Sequence, residues 1–240
     1  RTLAAYDADA LCVACWPRRL PAPLLTLPRL GALNLHPSLL PAHRGPAPLF
    51  RTLRHGDGHA GVSIHVMDET LDGGPLLAQV PIELADGMTG AEIERKCATV
   101  GGQLMADAVR ALASGDVRPA TQPADRGSYE SWPTPADFVV TPEHSARWAF
   151  NFIKGAAYWG GPLVIRAGGQ SFAVQTALDY TVAQPSHAPE TAGKVRRVDN
   201  ELWLACSPGT LHVRLAEPTA RERLAHAPSA TLRARDASDQ

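Results

Sequence analysis

At 240 residues and 45% hydrophobic content, the chain has room for one large domain or two modest ones around a real core. A formal net charge of -1 excludes a strong global pull on nucleic acid, so any polyanion has to be met by a local patch. No stretch approaches the roughly 20 apolar residues of a membrane span, and four cysteines in apolar surroundings with no export signal ahead of them point to a reduced, cytoplasmic compartment.

Residues 1–9 hold no complete element beyond a short helical fragment. Residues 10–15 are a continuous apolar run, as expected of a strand buried on both faces of a parallel sheet. Cys12 and Cys15 have the spacing of a redox or zinc pair, but on a strand they point to opposite faces and are expected to be ordinary buried cysteines. Trp16-Pro17-Arg18-Arg19-Leu20-Pro21 ends the run. Loops leaving the C-terminal strand ends line the crevice of a doubly wound sheet, which makes Trp16, Arg18 and Leu20 ligand-site candidates.

Residues 23–30 form a short helix or turn, and residues 32–36 a second strand that brings Asn34 and His36, on one face, to a loop stiffened by Pro37 and Pro41. Residues 46–55 are a helix of about two turns, with proline tolerated only near its start. Residues 61–68 alternate as a strand leading into Leu71-Asp72-Gly73-Gly74-Pro75, and residues 75–84 return as another. Thr89-x-x-Glu92 is a capping box opening a core-facing helix that keeps Ile93, Cys97, Val100, Leu104, Ala108 and Leu112 at three-and-four spacing to a stop near Gly115.

Residues 117–135 break the pattern and are expected to be a linker anchored by Tyr129 and Trp132. Thr141-Pro142-Glu143 carries an N-cap and a first-turn proline, predicting a helix to about residue 156 with Ala146, Ala149, Phe150 and Ile153 on one side. Five short strands follow (163–167, 170–179, 193–198, 201–206, 210–215), suggesting a small barrel of the oligonucleotide/oligosaccharide-binding type. Residues 221–240 have the composition of a frayed tail. The fold class is therefore α/β: a partial nucleotide-fold sheet at 1–120, a linker at 121–137, an OB-like barrel at 138–220 and a tail at 221–240.

Asn34, His36 and Asp72 supply an amide, an imidazole and a carboxylate, expected on the C-terminal ends of neighbouring strands. Transfer of an acyl group to an amine needs such a set: amide and imidazolium hold the developing oxyanion, and the carboxylate takes or relays the amine proton. His65, on the strand leading to Asp72, is a candidate for lining the cleft. His43 is expected to be an exposed loop residue. A metal site is not expected, because no close His/Cys/carboxylate cluster is visible in the sequence.

Asn34-x-His36-x-Ser38-Leu39-Leu40-Pro41 followed by Leu71-Asp72-x-Gly74, 38 residues apart from Asn34 to Asp72, resembles the signature of the folate-dependent formyltransferases. That resemblance implies 10-formyltetrahydrofolate as formyl donor, no metal, and Asn34, His36 and Asp72 as catalytic residues. It also implies a pterin bordered by the loop with Trp16, Arg18 and Leu20 and by Val66, Met67, Asp68 and Asp72. The barrel resembles the second domain of methionyl-tRNA formyltransferases and of some sugar-nucleotide formyltransferases. The acceptor is then initiator methionyl-tRNA or an amino sugar nucleotide; Lys194, Arg196 and Arg197, within a +3 surplus over residues 145–221, tilt toward tRNA. A non-catalytic folate-binding or assembly protein with a relic motif is the reading from another class. The family carries about seventy residues before the position matching Arg1, so the first strand is expected to show an unpaired apolar edge. A fragment, an oligomer that covers that edge, and a remodelled fold all remain open.

Overall fold

A computed structural model describes residues 3–16, 18–123, 127–182 and 191–217. Strands β1 (Leu11–Ala14), β2 (Ala32–His36), β3 (His59–Val66) and β4 (Leu76–Glu83) form a four-stranded sheet in that order. β1 and β2 are parallel, joined through the short helix α1 (Ala22–Leu25), while β3 and β4 pair antiparallel. β2 and β3 are buried along nearly their whole length because they are central and covered by helices.

β1 corrects the expectation of burial on both faces. It alternates between half-buried and exposed, because it is the sheet edge and nothing described covers it. Cys12 and Cys15 are accordingly exposed, whereas Cys97 and Cys206 are buried, with thiols pushed up to about 11 by burial. Leu3, Tyr6, Trp16 and Leu27 are exposed near this edge, beside a groove of about 440 Å³ lined by Leu3, Tyr6, Leu11, Leu24 and Leu27 among others.

Helix α2 (Pro48–His55) ends on a left-handed Gly56. The capping box forms as expected: the Thr89 side chain accepts from the Glu92 amide, and the Glu92 carboxylate accepts from the Thr89 amide. It opens helix α3 (Gly90–Ser114), which lays Ile93, Cys97, Met105 and Ala108 on the sheet. Gly101 is where this helix comes nearest, since a Cβ there would lie 2.7 Å from Leu35 Cδ1.

The chain then adds β5 (Val139–Val140), α4 (Ala146–Ala156), β6 (Val164–Ala167), β7 (Gln170–Thr181), β8 (Val195–Val198), β9 (Glu201–Ala205) and β10 (Thr210–Leu215). These strands make a six-stranded sheet in the order β5-β6-β7-β10-β9-β8, whose end strands are not hydrogen-bonded to one another. Strand β5 was not expected. The helix begins later than expected because Ser145, accepting from the Trp148 amide, and not Thr141, is its N-cap; Thr141 to His144 form a turn. Helix α4 packs on α2 and α3 as well as on β7 and β10, so apolar residues from Leu33 to Leu215 share one core. At its centre Phe50 meets Phe138, Phe152 and Trp159 with ring centroids 4.9 to 5.8 Å apart.

Within 117–135, the described residues 117–123 and 127–135 are tied to the first sheet and its loops. Ala120 pairs with Leu76, Tyr129 bridges to Arg44, and Gln122 is buried against the first sheet. The expected anchors Tyr129 and Trp132 have exposed side chains; polar groups do the anchoring instead. The expected tail at 221–240 lies outside the described residues. No described helix is long and apolar enough to cross a membrane.

Candidate active site

Asn34, His36 and Asp72 come together, all buried. Their arrangement differs from neighbouring C-terminal strand ends. β3 runs antiparallel to β2, with Leu33 opposite Val66 and His36 opposite Ser63, so β3 ends beside the start of β2. The loop of residues 67–75 therefore has to fold back toward His36. Three contacts hold it there. The Gly45 amide donates to Asp72 Oδ2 at 2.8 Å. The Gln122 side-chain amide donates to the carbonyls of Asp72 at 2.9 Å and Gly74 at 2.7 Å. Gln122 Oε1 in turn accepts from Arg44 Nη2 at 2.7 Å. Asp72 itself is left-handed (φ 55°), a conformation that aspartate tolerates better than most residues. Gly74 is obligatory on space alone, since a Cβ there would lie 1.8 Å from the Val66 carbonyl oxygen.

The face carrying Asn34, His36 and Asp72 is ordered by two histidine tautomers that carbonyl oxygens dictate, because a carbonyl can only accept. His36 Nε2–H donates to the His43 carbonyl at 3.0 Å, leaving Nδ1 to face Asp72 Oδ1 at 3.6 Å. His65 Nδ1–H donates to the Val66 carbonyl at 3.0 Å, so its Nε2 accepts from Asn34 Nδ2 at 3.2 Å. That bond orients the Asn34 amide and engages one of its two N–H groups. Burial lowers both histidines below the ordinary 6.5; the Asp72 charge opposes this in His36, as do the Val66 carbonyl and then Asp72 in His65.

The loop after β2 is tied down by residues outside the motif. Ser63 Oγ donates to the Ser38 carbonyl at 2.6 Å and accepts from the Leu40 amide at 3.0 Å, while Gln79 Nε2 donates to the Leu40 carbonyl at 2.7 Å.

Of the other candidates, Val66 and Met67 are half-buried, but their amides already donate to the carbonyls of Pro75 and Ala32. The Asp68 carboxylate is exposed and closes its own turn by accepting from the Thr70 amide and hydroxyl. Trp16 and Arg18 are exposed and Leu20 half-buried, on a loop that leaves β1 beside the end of β2, because those strands are parallel and Ala14 pairs with Leu35.

His43 overturns its expectation by being buried. Its Nδ1 lies 2.7 Å from Glu130 Oε1 and its Nε2 2.7 Å from Asp57 Oδ2, while His55 Nε2 lies 3.0 Å from Glu130 Oε2. A close histidine and carboxylate cluster therefore exists, assembled from residues far apart in the chain. Sequence reasoning underweighted His65 and missed Gln122, Ser63, Gln79 and Glu130. His65 was within reach, since it lies two residues from Ser63 on a strand paired with β2; nothing local to Gln122 signals its part.

The formyl transferase family model matches residues 1–109. The chain is 39% identical over 217 residues to the methionyl-tRNA formyltransferase of Aromatoleum aromaticum, covering 90% of this chain and 66% of that protein. It is 31% identical over 214 residues to the methionyl-tRNA formyltransferase of Parvibaculum lavamentivorans, covering 89% and 68%. The chain thus spans about two thirds of the length of these relatives. The fold is similar to that of WlaRD, a sugar 3N-formyl transferase solved in the presence of dTDP and 5-N-formyl-THF, with a TM-score of 0.68 and 11% identity over 91% of this chain and 77% of that one.

Proposed function

Because this chain belongs to the methionyl-tRNA formyltransferase family, we propose that it transfers a formyl group from 10-formyltetrahydrofolate to the amino group of initiator methionyl-tRNA. The observation that carries the reading is the buried Asn34, His36 and Asp72 set, with its tautomers assigned by carbonyls.

The donor supplies an activated formyl carbon; the remaining work falls to this chain's side chains. Asn34 has one N–H bound to His65 and one left to donate to the oxygen on which charge develops as the amine adds. Asp72 Oδ1 takes the amine proton, and His36 Nδ1, 3.6 Å away, is placed to receive it. A neutral His36, favoured by burial, is able to accept that proton and, once charged, to assist Asn34 against the oxyanion; the proton is then returned to the donor nitrogen as its bond to the formyl carbon breaks and tetrahydrofolate leaves. Loss of the His65 bond would free the amide to rotate.

The folate fits the chemistry at hand. Backbone of the Asp72 loop offers hydrogen-bonding edges to a pterin, and the exposed Arg18 offers a cation to a carboxylate tail. Trp16, Leu20, Val66, Met67 and Asp68 are the other proposed folate neighbours. Asp68 acts through the turn that its carboxylate closes.

The region 138–220 is proposed as an OB-like unit that meets the tRNA, with 1–120 as the formyltransferase unit and 121–137 joining them. The twelve-residue β7 supports this, since it pairs with β6 through its first part and, through register shifts, with β10 through its second, as a strand does in turning a barrel corner. Lys194, Arg196 and Arg197 are exposed there. Arg196 lies over the Trp203 ring at 4.7 Å, and Trp203 is stacked on His212 on its other strand neighbour, so charge and not a free aromatic face is what this surface offers. The proposed setting is cytoplasmic, with a partner over the β1 edge.

The test is formyl transfer measured with methionyl-tRNA and with an amino sugar nucleotide, using the parent and Asn34→Ala, His36→Ala and Asp72→Ala. Each variant should lose on the order of a hundred-fold or more in rate, with thermal unfolding of the same preparations showing that the variants are folded at the assay temperature. Transfer to the sugar alone would overturn the acceptor, and near-parental activity in a variant would remove that residue from the mechanism.

A further inference from the structure

We infer that His43, His55 and Glu130 form a binding site for a divalent transition cation of the zinc class. Two imidazoles and one carboxylate are a donor set that suits zinc, and three protein ligands leave a fourth position for water. Their ligand atoms lie within 4.8 Å of one another.

The surroundings are arranged as a metal site requires. His43 is buried and faces carboxylates on both ring nitrogens, at 2.7 Å each. With a cation on Nδ1 in place of its proton, the Nε2–H to Asp57 bond stays. The result is the carboxylate, histidine and metal relay that orients metal-bound imidazoles. Glu130 would bind through Oε1, leaving Oε2 to Arg51 Nε, which lies 3.5 Å away and is a buried donor with no hydrogen-bond partner among the described residues.

Backbone pairing fixes the ligands beforehand. The Arg44 amide donates to the Ser128 carbonyl at 3.0 Å and the Glu130 amide to the Arg44 carbonyl at 2.9 Å, which locks the segments carrying His43 and Glu130 side by side. A Cβ on Gly45 would lie 2.1 Å from the Glu130 carbonyl oxygen, so only glycine permits this approach. His55, at the end of α2, has 53% of its side chain exposed and gives a cation its way in. The site touches the catalytic loop directly, since the His43 carbonyl is the acceptor for His36 Nε2–H.

The experiment is titration of the intact chain with Zn²⁺ against a chromophoric chelator, with Co²⁺ absorption as the geometric readout. The parent should bind one equivalent and give a tetrahedral Co²⁺ spectrum. His55→Ala and Glu130→Gln should each weaken binding by on the order of a hundred-fold or more, and Asp57→Asn, which removes only the outer carboxylate, by about 10–100-fold. His212→Ala breaks a histidine–glutamate pair elsewhere and should bind like the parent. His55→Ala, on an exposed side chain, decides the matter even if Glu130→Gln folds poorly. Absence of saturable binding overturns the site, as does parental affinity in His55→Ala or equal loss in His212→Ala; the cluster is then an ion-pair network alone.

Discussion

Gln122 offers a sharp test of how the site is held, because it lies 50 residues from Asp72 and outside every motif. Its side chain is buried, donates to the carbonyls of Asp72 and Gly74, and accepts from Arg44. Gln122→Ala leaves two buried carbonyls unpaired at about 1–3 kcal/mol each, while the half-buried Arg44 recovers water. A net cost of about 3 kcal/mol should lower the melting temperature by about 6–12 °C for a chain of this size. The loop carrying Asp72 would also be released, and a displacement of about 1 Å at a reacting group costs on the order of a hundred-fold in rate. Gln122→Glu keeps the Arg44 partner but sets a carboxylate oxygen against the two carbonyls, so it should melt no higher than Gln122→Ala and transfer formyl as poorly. Thermal unfolding and steady-state formyl transfer on the same preparations decide it. A Gln122→Ala variant melting within about 2 °C of the parent, with near-parental transfer, would refute the claim that Gln122 holds the loop carrying Asp72.

Further outcomes follow from the same geometry. His36 and His65 both sit below 6.5 in the fold, chiefly by burial, so the unfolded chain binds more protons as pH falls below 6.5. Stability should then drop with falling pH, by up to about 1.4 kcal/mol per pH unit for each histidine until its folded value is passed. Urea unfolding between about pH 7.5 and 5.5 should show this slope, reduced in His65→Asn; equal slopes in parent and variant would remove His65 as a source. Saturating 5-formyltetrahydrofolate should raise the melting temperature, a hundred-fold excess over Kd being worth about 2.7 kcal/mol, and Asp72→Asn should blunt the shift; a parental shift in Asp72→Asn would place the folate elsewhere. Replacing Lys194, Arg196 and Arg197 together by Ala should weaken tRNA binding at low salt and flatten its salt slope by up to roughly three units. An unchanged slope would make the cluster a solvated face.

Much of the local structure was legible in the residues. The bounds of β2, the Thr89 capping box with its helix stop at Gly115, and the strand at 210–215 follow from period, caps and turn chemistry, which act over a few residues. The convergence of the proposed set was legible for a related reason: Asn34 and His36 share a strand face, and Asp72 lies in a turn whose Gly74 is held to glycine by the Val66 carbonyl.

What lay beyond the sequence is set by contacts between distant segments. The antiparallel course of β3 puts the end of that strand away from His36, so only the tertiary packing through Gly45 and Gln122 brings Asp72 back. The tautomers of His36 and His65 depend on carbonyls that meet them in space, and the burial of His43 depends on Asp57 and Glu130, 14 and 87 residues away. Cys12 and Cys15 lie in an apolar run that suits a buried strand; they are exposed because β1 is an edge. Hydrophobic pattern says that a strand wants cover, and only its neighbours in the fold decide whether it has it.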